Sequence, residues 1–399
     1  GSFDLVIYEE TAKALPIEVL GPMRLARRWL LIGDQAQLAP FGLDDVDAAL
    51  ATDINRLRIE RRSGRPVAAD TKGVDPAHIL GTAAPPPDIW AGITDEMTRL
   101  LRFFGYVFQR ASAVPLTSSL PAGVDGAAGA VKGLSGLLAT QWRMHPVIGD
   151  FVSKCFYQGR VQNGDDVKLR RWRRHGLSSP SEVKDRAIIW LDIPWMTDQP
   201  LATDRPGFGG GWENGFEARV ILGFVRKLMA DASTLPTLAI VSPYRAQVNV
   251  LARLARDYRF RGESLVDKFH TADSFQGKQA DVVAVSLVRN NKYSKETGPE
   301  RVRAGIGFLH ATERSTVIFS RAERLLVVAG CLQHFNQFPG TIMGTVAEEI
   351  QTLAADRKSG VAILQGQEFL EERHWRSLMD YHNQYERRAQ RRRAQLGGH

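Results

Sequence analysis

The stretch "TLAIVSPYRAQVNVLARLARDY" (237–258) decides the fold. Its first seven residues are almost continuously apolar, with no alternation of a wet and a dry face. A strand of that kind is buried on both sides, as strands of parallel sheets are. From Arg245 onward the apolar residues recur at helical spacing. Strand followed directly by helix is the repeating unit of α/β architecture. Working outward, the same rhythm recurs in "DLVIY" (4–8), "RWLLIG" (28–33), "AIIWLDI" (187–193), "VVAVSLV" (282–288) and "RLLVVAG" (324–330). The segment "GFEARVILGFVRKLMAD" (215–231) supplies a second amphipathic helix. The pattern predicts an α/β protein with parallel sheets.

Residues 41–137 interrupt this rhythm. Two helix-like pieces, "DDVDAALATDINRLRIERR" and "ITDEMTRLLRFFGYVFQRA", flank the turn-rich "GTAAPPPD" (81–88), and the glycine- and alanine-rich "PAGVDGAAGAVKGLSG" (121–136) follows. Such a stretch reads as a helical insertion ending in a flexible segment. The expected organisation is 1–40 as part of a first domain, 41–137 as the insertion and return, 138–340 as a second domain, and 341–399 as a helical, basic tail.

Composition narrows the function. The chain has 399 residues, of which 44% are hydrophobic and 24% charged, the balance of a globular protein. No apolar run approaches the roughly 20 residues of a membrane span, and the N-terminus lacks the pattern of a secretory signal. The only cysteines, Cys155 and Cys331, are far apart in sequence, which argues against a disulfide framework or zinc site and for a reducing cytoplasm. His374 and His382 lack zinc-ligand spacing. Arginine- and alanine-rich usage points to a bacterial source. The net charge of +8 is locally concentrated in "KLRRWRRH" (168–175), which holds Arg170 and Arg171, and in "ERRAQRRRAQ" (386–395). Both clusters suit a polyanion; each taken singly also reads as a solvated basic face.

The chemistry starts at "DLVIYEETAKALP" (4–16), where a buried-looking strand runs into Glu9 and Glu10. A strand that ends in two carboxylates delivers them to the carboxyl edge of a parallel sheet, where ligands bind. There one carboxylate can hold a metal while the other takes a proton from an attacking water. About twenty residues on, "LLIGDQAQLAPF" (30–41) places the neutral amides of Gln35 and Gln37 after a second strand. An amide can hydrogen-bond a phosphate or a water without competing as a base. Three further segments follow in order: "LATQWRMHPVIGDFVSKCFYQGRV" (138–161), "VDKFHTADSFQGKQADVVAVSLVRNN" (266–291) and "IGFLHATERSTVIFSRAERLLVVAG" (306–330).

This ordered set resembles the superfamily 1B helicases of the up-frameshift type, the branch that includes senataxin and immunoglobulin-mu-binding helicases. That family's DEA, GDxxQLPP, QYRMHP, TxDxFQGxE and NVALTRA motifs correspond here to EET, GDQAQLAP, QWRMHP, TADSFQGKQ and TVIFSRA, and "VSPYRAQ" (241–247) resembles its TPYxxQ segment. The resemblance implies two RecA-like P-loop NTPase domains, the first incomplete, with a helical insertion. It implies that Glu10 is the catalytic carboxylate and Glu9 the magnesium ligand through water. Gln37 matches the γ-phosphate sensor. Arg143 and Arg321 match the arginines aimed at the γ-phosphate, whose fixed charge suits the transferring phosphoryl oxygens. Gln279 stands where the family has a ribose-binding glutamate. Pro243, Tyr244, Thr271 and Asp273 match positions near a bound strand, though the Tyr244 ring also reads as ordinary core packing.

The departures are specific. Glu9 replaces an aspartate, Gln279 replaces a glutamate, and Thr11 and Lys13 differ from the usual residues after the carboxylates. No GxxxxGK(S/T) occurs in the 399 residues; "GAAGAVKG" (126–133) lacks the order and does not follow a strand. Since that loop precedes the DE motif in the family, and since Gly1-Ser2 reads as a cloning scar, the expectation is a back part of a longer protein with the loop upstream. The leading expectation is an ATP- and Mg2+-dependent helicase or translocase. It moves on single-stranded DNA or RNA, by resemblance 5′ to 3′, with this chain alone inactive. The alternative is a non-enzymatic half-helicase that binds nucleic acid or a protein partner supplying the loop. A signalling or metabolic P-loop enzyme would need neither both arginine motifs nor TADSFQG.

Overall fold

The computed structural model describes residues 3–34, 36–38, 104, 107–108, 136–165, 175–207, 211–230, 236–256, 265–292 and 298–396. Chain contacts divide it into two units, Gly1–Leu137 and Leu138–His399. The insertion expected over 41–137 lies outside the described residues apart from Phe104, Val107, Phe108, Gly136 and Leu137, and so do Arg170 and Arg171. No helix among the described residues is long and apolar enough to cross a membrane.

In the first unit, strand β1 (Phe3–Tyr8), helix α1 (Pro16–Met23) and strand β2 (Ala26–Leu31) form a strand–helix–strand unit. β1 and β2 pair in parallel, with Leu5 opposite Arg28 and Tyr8 opposite Leu31. The expectation that these strands are covered on both faces is not met. Phe3, Leu5, Ile7, Trp29 and Leu30 are all exposed. Among the described residues of this unit, two strands and one short helix are too few to cover both faces.

The second unit is built on six strands. They are β3 (Ile188–Asp192), β4 (Leu238–Ser242), β5 (Phe269–Thr271), β6 (Ala280–Ser286), β7 (Ala322–Gly330) and β8 (Val361–Gln365). All pair in parallel, in the order β8-β3-β7-β6-β4-β5. Helices α2 (Pro146–Tyr157), α3 (Gly215–Ala230), α4 (Arg245–Ala255), α5 (Gly298–Ile306), α6 (Thr312–Phe319), α7 (Ile342–Ala355) and α8 (Glu372–Leu396) complete it.

The period of two along each strand sorts its side chains between two cores. Ile189, Leu191, Ile240, Val282, Ala284, Leu325 and Val327 pack with Phe216, Phe224 and Leu251 of α3 and α4. Their neighbours Ile188, Trp190, Val241, Val283, Val285, Leu326 and Val328 pack with Phe151, Phe319 and Ile350 of α2, α6 and α7. Trp190 is fully buried, and its indole donates to the Gly330 carbonyl at 2.9 Å, which satisfies the ring's one polar atom. The sheet also extends past residue 340. The expected helical tail contributes β8 at the edge and α7 to the core, and only α8 has the basic helical character foreseen for it.

Candidate functional site

In the first unit the strand ends bring two motifs together. The Ile32 amide donates to the Tyr8 carbonyl at 2.9 Å, and the Thr11 amide donates to the Ile32 carbonyl at 3.0 Å. The Thr11 hydroxyl lies 2.8 Å from the Tyr8 carbonyl and 3.1 Å from that of Ile32, so one buried side chain ties both strand ends. This threonine, a departure from the resembled pattern, is a positioning residue that sequence reading left without a role. Glu9 and Glu10 follow β1 and are exposed. Glu10 adopts a left-handed φ of 54°, which for a residue with a Cβ costs roughly 1–2 kcal/mol and turns the chain sharply. After β2, the Asp34 carboxylate accepts the Ala36 amide at 2.9 Å and the Gln37 side-chain amide at 2.8 Å. A Cβ at Gly33 would stand 2.9 Å from the Ala12 nitrogen and 3.2 Å from the Phe104 ring, so only glycine lets the two turns approach. EET and GDQAQ thus meet at one carboxyl edge. No group of three or more His, Cys, Asp or Glu able to hold a metal occurs among the described residues. One carboxylate acting through water, with phosphates completing the shell, is the donor set that magnesium ordinarily takes.

In the second unit the Arg143 loop is held by a side-chain knot. The Gln141 carbonyl oxygen accepts the amides of Arg143 and Met144 at 2.9 and 2.8 Å, while its amide donates to Asn163 at 2.5 Å. Asn163 in turn donates to Asp150 at 2.7 Å. Arg143 is half-buried, and its side chain makes no hydrogen bond or ion pair with a described residue. His145 caps α2 by accepting the Val147 amide at 3.2 Å. Burial, with His175 nearby, lowers its pKa to about 4, so it is neutral near pH 7 and free to accept. The His145 amide donates to the Glu323 carbonyl at 2.7 Å, which brings the Arg143 loop to the start of β7. Arg321, 2% exposed, immediately precedes β7, and its carbonyl accepts the Ala280 amide at 3.2 Å. Gln279 is exposed beside it. Arg143, Arg321 and Gln279 therefore gather at the amino edge of the six-stranded sheet.

The residues expected near a nucleic acid sit at the opposite edge. Ser242 pairs with Thr271 where β4 and β5 end, roughly 20 Å along the strands at about 3.3 Å per residue. Pro243 is buried and Asp273 exposed. The Thr271 hydroxyl accepts the Ser274 amide at 3.2 Å, and Ser274 Oγ accepts the Thr271 amide at 2.9 Å, a reciprocal cap. Tyr244 corrects its expectation: the ring is 1% exposed, stacked on Phe308 at 5.3 Å. Its hydroxyl accepts the Phe308 amide at 3.1 Å, and burial pushes its pKa up to about 12. A ring covered on this scale is a core side chain and offers no face to a base. The TADSFQGKQ segment spans both edges, from Thr271 to Gln279.

A buried polar network behind the carboxyl edge was not foreseen. Gln247, fully buried, accepts the Asn214 amide at 2.7 Å and donates to Ser286 Oγ at 2.9 Å. Ser286 Oγ donates to Glu217 Oε1 at 2.5 Å, and that oxygen also accepts the Val288 amide at 2.9 Å. Val288 has φ 74°, an outlier for a β-branched residue, and the bond from Glu217 holds it. Next in sequence, Arg289 pairs with Asp204 at 3.2 Å, donates to the Gly305 carbonyl at 3.0 Å and lies 3.9 Å from the Trp212 ring centre. Burial pushes the Asp204 carboxyl up despite Arg289. The available signal was a polar run, "RNN" (289–291), directly after a continuous apolar strand.

A family profile described as an AAA domain matches residues 128–333. "Probable helicase MAGATAMA 3" of Arabidopsis thaliana is 30% identical over 201 residues, which is 49% of this chain and 22% of that protein. "Regulator of nonsense transcripts 1 homolog" of the same plant is 28% identical over 196 residues, 48% of this chain and 14% of that protein. "Helicase sen1" of Schizosaccharomyces pombe is 28% identical over 205 residues, 49% and 11% of the two chains. The chain thus spans between 11% and 22% of the length of these relatives. Among solved structures, the arterivirus nonstructural protein 10 helicase aligns at a TM-score of 0.29 and 11% identity, covering 85% of this chain and 40% of that one. The resemblance to up-frameshift and senataxin-type helicases is borne out by these relatives. The bacterial source is corrected: plant, fungal, fly and Dictyostelium proteins match, and arginine and alanine usage carries no such information. With the profile spanning half its length and a wholly parallel sheet covered by helices on both faces, the chain belongs to the AAA domain family and has the α/β RecA-like fold of helicases.

Proposed function

We propose that this chain carries the hydrolysis and arginine elements of an ATP-driven motor that moves on single-stranded nucleic acid. The observation that carries the reading is the joined carboxyl edge of β1 and β2, where Glu9, Glu10 and the Asp34-anchored Gln37 follow adjacent parallel strand ends. In this reading Glu10 takes the proton of the attacking water from the sharp turn that its left-handed backbone makes at the end of β1. Gln37 orients that water or contacts the terminal phosphate through its amide. Glu9 holds magnesium through water, and the metal supplies charge neutralisation to the phosphates when bound. Arg143 and Arg321 bring fixed positive charge to the transferring phosphoryl oxygens, and Gln279 hydrogen-bonds the ribose without charge assistance. Single-stranded DNA or RNA follows the carboxyl edge of the second unit at Pro243, Thr271 and Asp273, with Arg170 and Arg171 adding phosphate contacts. Both edges are joined through the TADSFQGKQ segment, which gives a covalent path between nucleotide and strand.

A second reading, a non-enzymatic binder whose partner supplies a phosphate loop, is favoured by one observation: GxxxxGK(S/T) is absent from residues 1–399. The upstream reading frame separates the two. With a phosphate loop encoded there, the extended protein should hydrolyse ATP in a strand-stimulated manner, and Glu10→Gln should lower the rate by roughly 100- to 10,000-fold while nucleotide affinity holds. An extended protein with the loop whose hydrolysis is indifferent to Glu10→Gln would sink the motor reading.

A further inference from the structure

The loop that covers Tyr244 turns an aromatic ring outward. In "IGFLHATER" (306–314), Ile306 and Leu309 are fully buried, while Phe308 between them is 45% exposed. Gly307–His310 form one tight helical turn, and its closeness to Tyr244 depends on glycine. Gly307 has φ 56°, and a Cβ there would stand 2.1 Å from Tyr244 Oη. That clearance lets the hydroxyl reach the Phe308 amide at 3.1 Å. The two rings stack with their planes 19° apart. One face of Phe308 is therefore fixed on a core side chain, and the rest of the ring meets solvent.

Arg314, in the first turn of α6, lies against the same ring. Its guanidinium carbon is 4.7 Å from the Phe308 ring centre, a cation–π distance. The guanidinium makes no hydrogen bond or ion pair with a described residue. A cation–π contact at an exposed site is weak and leaves the fork of N–H donors unspent.

The fold places this pair. Tyr244 follows β4 directly after Pro243. Helix α6 lies against the turn Ala272–Phe275, which follows β5 and carries Asp273. Phe308 and Arg314 thus stand at the same carboxyl edge as Pro243, Thr271 and Asp273. The ring expected to face a nucleic acid there was Tyr244, and Phe308 is the one that covers it.

We propose that Phe308 and Arg314 form a subsite for one nucleotide of a single strand, in which the base stacks on Phe308 and Arg314 takes the adjoining phosphate. The class of ligand rests on the motor reading; the stacked ring and the unpaired guanidinium are independent of it. Stacking on an aromatic ring tolerates any base. As the base settles on the ring, the guanidinium turns to the phosphate and exchanges a weak contact for a charge-assisted one.

The experiment is a fluorescence-anisotropy titration of the full chain with two labelled strands of equal length, oligothymidine and an abasic oligomer with the same phosphates. It is run from about 50 to about 200 mM salt, where phosphate contacts are lost steeply. Wild type should bind oligothymidine more tightly than the abasic strand. Phe308→Leu keeps an apolar cover over Tyr244 but has no ring. It should lose about fivefold or more in affinity for oligothymidine and leave abasic binding and the salt slope unchanged. Phe308→Trp should keep the preference. Arg314→Gln should weaken both strands and shrink the slope of log affinity against log salt by roughly 0.7. Urea midpoints verify folding, and Arg314→Gln, which breaks no hydrogen bond or ion pair, carries the test if Phe308→Leu is unstable. Wild type that binds oligothymidine, with neither Phe308→Leu nor Arg314→Gln altering affinity or slope, overturns the subsite and leaves the motor reading standing. Wild type that binds neither strand overturns both. Equal affinity of wild type for the two strands means that phosphates alone are held, and the subsite falls.

Discussion

At the scale of single residues, Glu217 is the most consequential buried group. Its carboxyl is wholly buried on α3, and burial raises its pKa from an ordinary 4.5 to about 8. Oε1 accepts Ser286 and Val288, whereas Oε2 has no partner, so a proton on Oε2 disturbs neither bond. The sign of the linkage follows. The unfolded carboxyl loses its proton near 4.5 and the folded one near 8. Between those values the native state holds more protons, and stability falls as pH rises, by at most about 1.4 kcal/mol per pH unit. This contribution is full below 4.5 and gone above about 8. Glu217→Gln keeps an acceptor at Oε1 and cannot ionise, so it should flatten the decline. Urea denaturation of both proteins at pH 5.5 and 7.5 checks it; identical pH dependence would show that Glu217 is already charged at the lower pH.

Elements carry the next level of specificity. Helix α2 packs so closely on the Arg143 loop that a Cβ at Gly149 would stand 2.2 Å from Asn163 Oδ1 and 2.6 Å from Gln141 Nε2. Alanine is the better helix former by about 1 kcal/mol, yet Gly149→Ala should destabilise the protein by roughly 1–3 kcal/mol through overpacking. It should also loosen the amide bonds that set Arg143. A raised urea midpoint would show that the Gln141–Asn163 bridge does not constrain this face. The same contrast between local and distant causes decides what could be read from the sequence. Strands β3, β4, β6 and β7 are legible because each is apolar on both faces over five or more residues. β5 has only three residues, and β8 is an edge strand with half-buried side chains, so neither carries a strong pattern. In the site, Glu9 and Glu10 are legible because they follow directly on β1, and Gln37 because it follows β2 across the short Gly33–Asp34 turn. Tyr244 is buried by Phe308, and Glu217 is satisfied by Ser286 and Val288. Partners so distant in sequence leave no local trace.

At the scale of the whole chain, the two units differ in how much of their sheet is packed. In the second, six strands are covered on both faces, and Val283, Val285, Leu326 and Val328 are fully buried. Opening their amides requires loss of both cores, so they should exchange with deuterium only through global unfolding. In the first, β1 and β2 pair with no other strand among the described residues and leave Leu5, Ile7, Trp29 and Leu30 exposed. A two-stranded sheet is marginal by itself in water, and its hydrogen bonds can open without disturbing the second unit's cores. Native-state hydrogen exchange of the chain should therefore give Val6, Ile7 and Leu30 opening free energies several kcal/mol below those of Val283 and Leu326, since local opening spans the range from near zero to the global value. The consequence reaches the proposed chemistry, because Glu9, Glu10 and the Asp34-bonded Gln37 all follow these two strand ends, which Thr11 ties together. Equal protection in both units would mean that β1 and β2 are held by packing beyond their mutual pairing, and the carboxylate edge would then be as rigid as the arginine edge. Unequal protection that rises when ATP and magnesium are added would instead show that the nucleotide itself orders the edge that hydrolyses it.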